Sequence, residues 1–339
     1  MRRFFKVLGG KFALAGFVGA CFLVSCSTEE AIQQVLGSSS SEAPVFLACR
    51  TVDSREIDFQ FSLPVRVVSL NFDPPVPVES RSDGAVVKVI LGETLNGGAS
   101  MAADLLVEDE AGNTLNVLVP FRARNDRLPK LLINELQDEY TKGTRIEFVE
   151  LKTQSAGNLG ALRLFITSYT KNPLVFEFPP VEVGAGEYIC VHLRTLDEGA
   201  VDETGTDLGL SAGINAAPEG RDFWVPGSVK SLHKTDVVYL LDQDDKVVDA
   251  VMTSESPDPW WSKEHFAAAA DLLHKQGAWV AKGGGVPGPQ DAIPSKSKTA
   301  SRSISRDESI PDTNRAGDWY ITANSNATPG KPNSTKRFE

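Results

Sequence analysis

Cysteine is scarce in this 339-residue chain, with four copies at Cys21, Cys26, Cys49 and Cys190. So few exclude a disulfide scaffold, and beyond Cys21 and Cys26 near the N-terminus no pair stands at zinc-ligand spacing. Histidine is equally sparse: there are four, none in an H-E-x-x-H pair. His265 and His274, nine residues apart, would face opposite sides of a helix and share no metal ion. Long apolar runs are missing as well, because the run from Phe12 to Val24 is too short to span roughly 30 Å of hydrocarbon. Positive charge is in deficit, with 34 Lys and Arg against 45 Asp and Glu and a net charge of −11. A chain so acidic repels phosphate backbones, which argues against nucleic acid as a partner unless a local basic patch overrides it. The candidate patch, Lys296, Lys298, Arg302 and Arg306, reads as a solvated loop. Between Pro44 and Pro129 helical periodicity is absent too.

What is present begins at the N-terminus. Arg2, Arg3, Lys6 and Lys11 precede the short apolar run, the layout of an export signal over residues 1–25. The run ends in Leu23-Val24-Ser25-Cys26, which resembles the bacterial lipobox. That resemblance implies cleavage before Cys26 and a diacylglyceryl group on its thiol. Residues 26–43 form a Ser/Thr/Glu/Gln-rich tether, whose sixteen residues from Ser27 to Glu42 reach about 55 Å when extended and about 20–25 Å on average. The folded part is expected just off a membrane of the bacterial cell envelope, with inner and outer membrane left open. Each buried methylene contributes about 0.8 kcal/mol, so several acyl chains hold such a protein firmly. Removal of the signal takes away four basic residues and no acidic one, which leaves the exported part at −15. Cys49 and Cys190 then remain, each inside an apolar strand-like run, and are expected as buried free thiols rather than an interdomain disulfide.

Residues 44–127 alternate apolar and polar side chains in short runs broken by Pro, Gly, Asn and Asp, the pattern of half-buried strands. Strands are predicted at Glu56–Phe61, Ala85–Leu91, Asp104–Glu108 and Leu115–Val119, with Glu110-Ala111-Gly112-Asn113 as a hairpin turn. With FSLPV (Phe61 to Val65) and VEDEAGNTL (Val107 to Leu115), this stretch resembles bacterial immunoglobulin-like domains. A second set of strands follows over 128–334: Leu131–Leu136, Arg145–Leu151, Ala161–Thr167, Val175–Phe178, Glu187–Leu193, Asp236–Leu241 and Lys246–Val251. The wording Ile133-Asn134-Glu135-Leu136, Glu147-Phe148-Val149-Glu150-Leu151, Gly186 to Val191, Asp236 to Leu240, Val247 to Val251, Ser305-Arg306, Asp318-Trp319 and Thr328-Pro329-Gly330-Lys331-Pro332-Asn333 resembles the lamin-tail domain. The two resemblances imply an all-β chain of two immunoglobulin-like β-sandwiches in tandem, neither from a catalytic family. Phe165 stands where a typical member carries Trp. In the 147–151 strand Phe148 and Glu150 share one face and Val149 and Leu151 the other. One glutamate there is either near the core, held by backbone amides or Arg306, or on a solvated rim.

The insertion over 252–303 sets this chain apart from that family. Ser262 is placed to cap a helix, Trp261 to staple onto Phe266, and Gly277 to stop it. Phe266, Ala269, Ala270 and Leu273 form one stripe. With Trp260, Leu272 and Trp279 added, the segment must dock: either it caps an open end of the sandwich, or Trp260, Trp261, Phe266 and Trp279 form a partner-binding patch. Residues 281–303, rich in Gly, Pro, Ser and Lys, are expected to be a mobile loop.

Catalytic signals are weak. Gly209-Leu210-Ser211-Ala212-Gly213 fits the G-x-S-x-G pattern, with His192 or His233 as a nominal base, but no apolar strand precedes the serine and no helix signal follows it. Asp242-Gln243-Asp244-Asp245 lacks the glycine bend and distal glutamate of a calcium loop and reads as a hairpin turn. No catalytic residue, metal site or cofactor is expected. The sequence reads as a membrane-anchored, non-catalytic binding, adhesive or structural lipoprotein, contacting the membrane through its lipid and an envelope protein or glycan through its sandwiches. The alternative is an accessory or catalytic component of an exported hydrolase system, since bacterial lamin-tail domains also occur joined to nucleases and other hydrolases.

Overall fold

The computed structural model describes residues 42–138, 145–167 and 172–338. The stretches expected as an export signal, a lipobox (Leu23, Val24 and Ser25), a lipid acceptor (Cys26) and a tether up to residue 41 lie outside the described residues.

Alternating side chains build the first module. Its strands are β1 (Phe46–Thr51), β2 (Glu56–Asp73), β3 (Val78–Arg81), β4 (Gly84–Leu91), β5 (Ser100–Glu108) and β6 (Thr114–Arg122). The eighteen-residue β2 serves two sheets: its first half pairs with β1 and β4, and from Arg66 onward it pairs with β5. The changeover falls at a register break between Gln60 and Val65, where Pro64 has no N–H to give to a ladder. A second irregularity between Val67 and Ser69 flips the inward face, so Phe59, Phe61, Val65 and Val67 are buried at odd positions and Phe72 at an even one. Val87, Val89 and Leu91 of β4 and Ala103, Leu105 and Val107 of β5 complete this core. The hairpin turn at 110–113 is present: the Asp109 carboxylate accepts the backbone N–H groups of Ala111 and Asn113, and Gly112 takes φ +85°.

The second module comprises β7 (Leu131–Gln137), β8 (Phe148–Thr153), β9 (Gly157–Asn158), β10 (Arg163–Ile166), β11 (Leu174–Glu177), β12 (Glu182–Val183), β13 (Tyr188–His192), β14 (Arg221–Trp224), β15 (Asp236–Leu241), β16 (Val247–Ser254), β17 (Ile293–Pro294), β18 (Ile304–Arg306) and β19 (Trp319–Ile321). One sheet runs in the order β11-β10-β15-β16-β17 and the other β14-β13-β8-β7-β18-β19, with β9 and β12 paired separately. A common core of Ile133, Val149, Leu151, Leu164, Ile166, Ile189, Val238 and Val251 lies between them. The chain is all-β, with two strand-built modules in succession. Phe165 lies half-buried and stacks on Tyr239 across β10 and β15, centroids 4.9 Å apart.

The insertion departs from the sequence reading in three respects. Strand β16 runs on to Ser254, three residues into it. The helix α1 (Glu264–Lys275) is capped by Lys263 with no side-chain bond, so Ser262 is not its cap. Residues 281–303 are ordered, not a mobile loop: a 3₁₀ turn at Pro289–Asp291, strand β17 and the buried Lys298 pin them. Gly and Pro content misleads there because buried polar bonds supply the order that composition lacks. Asp291 accepts the N–H groups of Lys282 and Gly288, and the indoles of Trp261 and Trp279 donate to Pro287 O and Asp291 O. The helix stop is as expected: Gly277 at φ +70° sends its N–H to His274 O while Ala278 reaches Leu273 O, a Schellman closure.

The two modules meet through backbone groups, amides and the ion pairs Arg124–Asp244 and Arg122–Glu177, and form one unit from Ala43 onward. Asn125 Nδ2 donates to Asn158 O and Gly160 O at 2.7 and 2.8 Å, and Asn158 Nδ2 donates to Asn96 Oδ1. Gly160 lies so close to Gly97 that a Cβ there would sit 1.9 Å from the Gly97 oxygen.

Candidate functional site

Strand register brings the most unusual side chains of the second module together. Glu135 on β7 stands directly opposite Glu150 on β8, and both are fully buried. Two facing carboxylates out of water repel each other and lose hydration, so each needs donors or a proton. Glu135 accepts from the hydroxyls of Ser303 and Ser305 and from the N–H and hydroxyl of Thr328. Glu150 accepts from Asn134 Nδ2 at 2.9 Å, from Gly330 N at 2.6 Å and weakly from the Cys190 thiol. Burial raises both carboxyls, and the charge of Glu135 pushes Glu150 further, to about 8. Glu150, which has the poorer set of donors, therefore holds its proton at neutral pH.

This network fastens the C-terminal segment over the β7–β8 face. Asn333 Nδ2 completes it by donating to the backbone oxygens of Asn134 and Arg306. Asn134-Glu135, Glu150, Ser305-Arg306 and Thr328–Asn333 thus converge in space and are bonded to one another. Glu147 and Glu150 are both buried, where the sequence suggested one. Neither is bonded to Arg306: Glu147 pairs with Arg194 at 2.8 Å, while Arg306 pairs with buried Asp249 at 2.7 Å, donates to Ile133 O and lies over the Trp319 ring. Burial raises Asp249 to about 6 despite that cation.

The basic patch disperses in the same way. Lys298 is buried against Asp138 and Gln137, and Arg302 donates to Ser297 O and Asn324 beneath Phe338, so the solvated-loop reading holds for neither Lys298 nor Arg306. Cys190 is a buried free thiol, but Cys49 is only half-buried; burial pushes Cys49 up to about 11 and Cys190 well above the usual thiol range.

Ser211 lies in the stretch between β13 and β14, with no strand before it and no helix after it. Its hydroxyl accepts from the Trp224 indole at 3.0 Å and its N–H donates to Glu203. His192 is fully buried, 2.8 Å from Asp222 and stacked on Trp224 at 4.0 Å, sealed from any substrate; His233 is exposed ahead of β15. The acidic turn 242–245 is a hairpin between β15 and β16. Asp242 accepts the N–H groups of Asp244 and Lys246, and Asp244 binds Arg124 of the first module through two bonds of 3.0 and 2.7 Å. Among the described residues no group of three or more His, Cys, Asp or Glu is placed to hold a metal ion.

The proposed four-residue aromatic patch is not a surface. Phe266 and Trp279 are buried and Trp261 is half-buried against Phe266, centroids 5.6 Å apart, so these rings seat the helix on the sandwich. Trp260 alone of the four is open, at 82% exposure. Beside this cap lies a hollow of about 780 Å³, missed by sequence reasoning because its walls come from three separate stretches within 254–318. Val280, Pro289, Ala292, Pro294 and Ala316 give it apolar walls. Lys282, Lys296 and Arg315 line it as well; all three are exposed, and their charged groups form no ion pair among the described residues.

Fold and buried network together define a two-module β-protein whose second module closes on its own C-terminal segment. The chain belongs to the TP_1001_2nd family, described as a protein second domain, which matches residues 129–321. A relative, an uncharacterized protein of Treponema pallidum (strain Nichols), is 28% identical over 181 residues; the match takes in 51% of this chain and 46% of the relative, about half its length. A solved DUF4876 family protein from Bacteroides thetaiotaomicron VPI-5482 is 12% identical, with 76% of this chain and 90% of that one covered and a TM-score of 0.28.

Proposed function

We propose that this chain is a lipid-anchored envelope lipoprotein whose two β-modules, the second of lamin-tail type, work as a non-catalytic contact unit. The observation that carries this reading is how the reactive side chains are used. Glu135, Glu150, Cys190, His192, Asp222 and Asp249 are all sealed in the interior, bonded to neighbouring strands and segments. Catalysis needs such groups within reach of a substrate. The exposed features are instead those of recognition: an open hollow with unpaired cations, and Trp260 on a neighbouring turn. The N-terminal sequence adds the anchor, with the basic start, the short apolar run and Leu23-Val24-Ser25-Cys26.

Expression with an alkyne-tagged palmitate analogue tests the anchor. Wild-type protein should take up the label and sediment with membranes, and Cys26→Ala should lose both. An unlabelled, uncleaved N-terminus in the mass spectrum would overturn it.

A further inference from the structure

Most arginines and lysines of the described chain are spoken for, in ion pairs such as Arg55–Glu79, Arg163–Asp245 and Arg221–Glu187. Lys282, Lys296 and Arg315 are not, and the strap 281–303 and the turn at 313–318 bring them to one hollow. In an acidic protein, free cations gathered at one hollow are a charge arrangement that an anionic partner would neutralise. The carboxylates on the same lining are already engaged. Asp291 accepts two backbone N–H groups, Asp318 accepts from Thr313 and the Arg315 backbone, and Glu255 pairs with Lys234.

The remaining lining narrows the class of anion. Its apolar walls are pyrrolidine rings, alanines and Val280, which suit small apolar groups, and Ser254, Ser256, Gln290 and Thr313 also line it. The adjoining hollow carries Trp319, Tyr320 and Phe338, but each of these rings already has a guanidinium over it, from Arg306, Arg337 and Arg302. A sugar ring seeks an open aromatic face to stack on, and these walls carry no aromatic ring. Strand addition at β17 is blunted as well, since Ser295 N–H already bonds Ser254 O and Pro294 has no N–H. Recognition must run through side chains.

We infer that the hollow binds an extended acidic segment of a partner polypeptide, its carboxylates on Lys282, Lys296 and Arg315 and its small apolar side chains against the walls. In such a segment, side chains alternate every residue, so acidic and apolar positions alternate too. The inference deepens the contact role proposed above. Its failure is separable from failure of the anchor, because membrane sedimentation reports only the lipid and peptide binding only the hollow.

The test uses the full chain in non-ionic detergent and a fluorescein-labelled ten-residue peptide of alternating glutamate and alanine, read by anisotropy. Binding should weaken at least tenfold in the triple variant Lys282→Glu, Lys296→Glu, Arg315→Glu, and also as salt is raised. The charge-matched variant Lys130→Glu, Lys246→Glu, Lys331→Glu changes exposed lysines elsewhere and should bind like wild type. A glutamine–alanine peptide should not bind. No binding at millimolar peptide, or equal weakening in both triple variants, would sink the inference. So would an oligogalacturonate that binds more tightly with the same dependence on Lys282, Lys296 and Arg315, since the partner would then be a glycan.

Discussion

At the scale of single residues, the facing pair Glu135 and Glu150 gives the protein an unusual dependence on pH. An unfolded glutamate gives up its proton near pH 4.5, whereas Glu150 keeps its own to about pH 8. The buried neutral carboxyl therefore contributes its full stabilisation only below pH 4.5. Between 4.5 and 8 the unfolded chain gains by ionising and the native one does not, so stability falls by up to about 1.4 kcal/mol per pH unit. Above pH 8 this group adds no further loss. Urea unfolding at pH 5, 6, 7 and 8 checks the sign, and Glu150→Gln, which imitates the neutral carboxyl, should flatten the slope. Glu135→Gln should behave differently. It replaces an acceptor of four hydrogen bonds with a group that donates from one end, at a cost of about 2 kcal/mol or more at every pH in the series. Equal pH slopes in wild type and Glu150→Gln would mean that Glu150 does not hold its proton in the native state.

At the scale of elements, α1 and the ordered strap after it show what patterning reveals and what it hides. Phe266, Ala269, Ala270 and Leu273 are three or four residues apart, so the buried stripe was legible, as was Gly277 as its stop. Most of the longer strands were legible for the same reason, because alternation in stretches such as Val87, Val89 and Leu91 marks one inward face. The two-sheet role of β2 was not, because the switch depends on irregularities around Pro64 and Val68 that carry no periodic signal. Nor was the order of 281–303, which comes from Lys298 meeting Asp138, 160 residues away, and from Asp291 tying two turns. Of the candidate site, Trp260 and Lys296 stood out in the sequence, whereas Lys282 and Arg315 matter only once folding brings them to the same hollow. The aromatic cap yields a direct test by thermal unfolding. Trp279→Ala removes a buried indole and its bond to Asp291 O, and should cost about 3–5 kcal/mol. Trp260→Ala removes an exposed ring and should leave the melting temperature within a degree or two, as expected of a surface change within about 0.5 kcal/mol. A large loss in Trp260→Ala would mean that this side chain supports the cap instead of facing solvent.

At the scale of the whole molecule, the question is whether the two modules unfold together. The seam between them has few apolar side chains. It is held by Asn125, which bonds Asn158 O, Gly160 O and both polar ends of Gln243, by the Arg124–Asp244 pair, and by the backbone contact of Gly160 with Gly97. Arg124 is about a quarter exposed and Asp244 nearly half, so solvent screens their attraction and the buried amide of Asn125 is the stronger tie. Asn125→Ala leaves two buried carbonyl oxygens without a donor, a penalty of about 1–3 kcal/mol for each group. Little apolar contact across the seam offsets that loss, because each module has a core of its own. Wild-type protein should therefore melt in one calorimetric transition and Asn125→Ala in two, the lower one belonging to the module with the smaller core, the first. Gly160→Leu, which drives a side chain into the Gly97 backbone, should split the transition in the same way without removing a hydrogen bond. If both variants still melt in a single step, cooperativity must pass through contacts other than this seam.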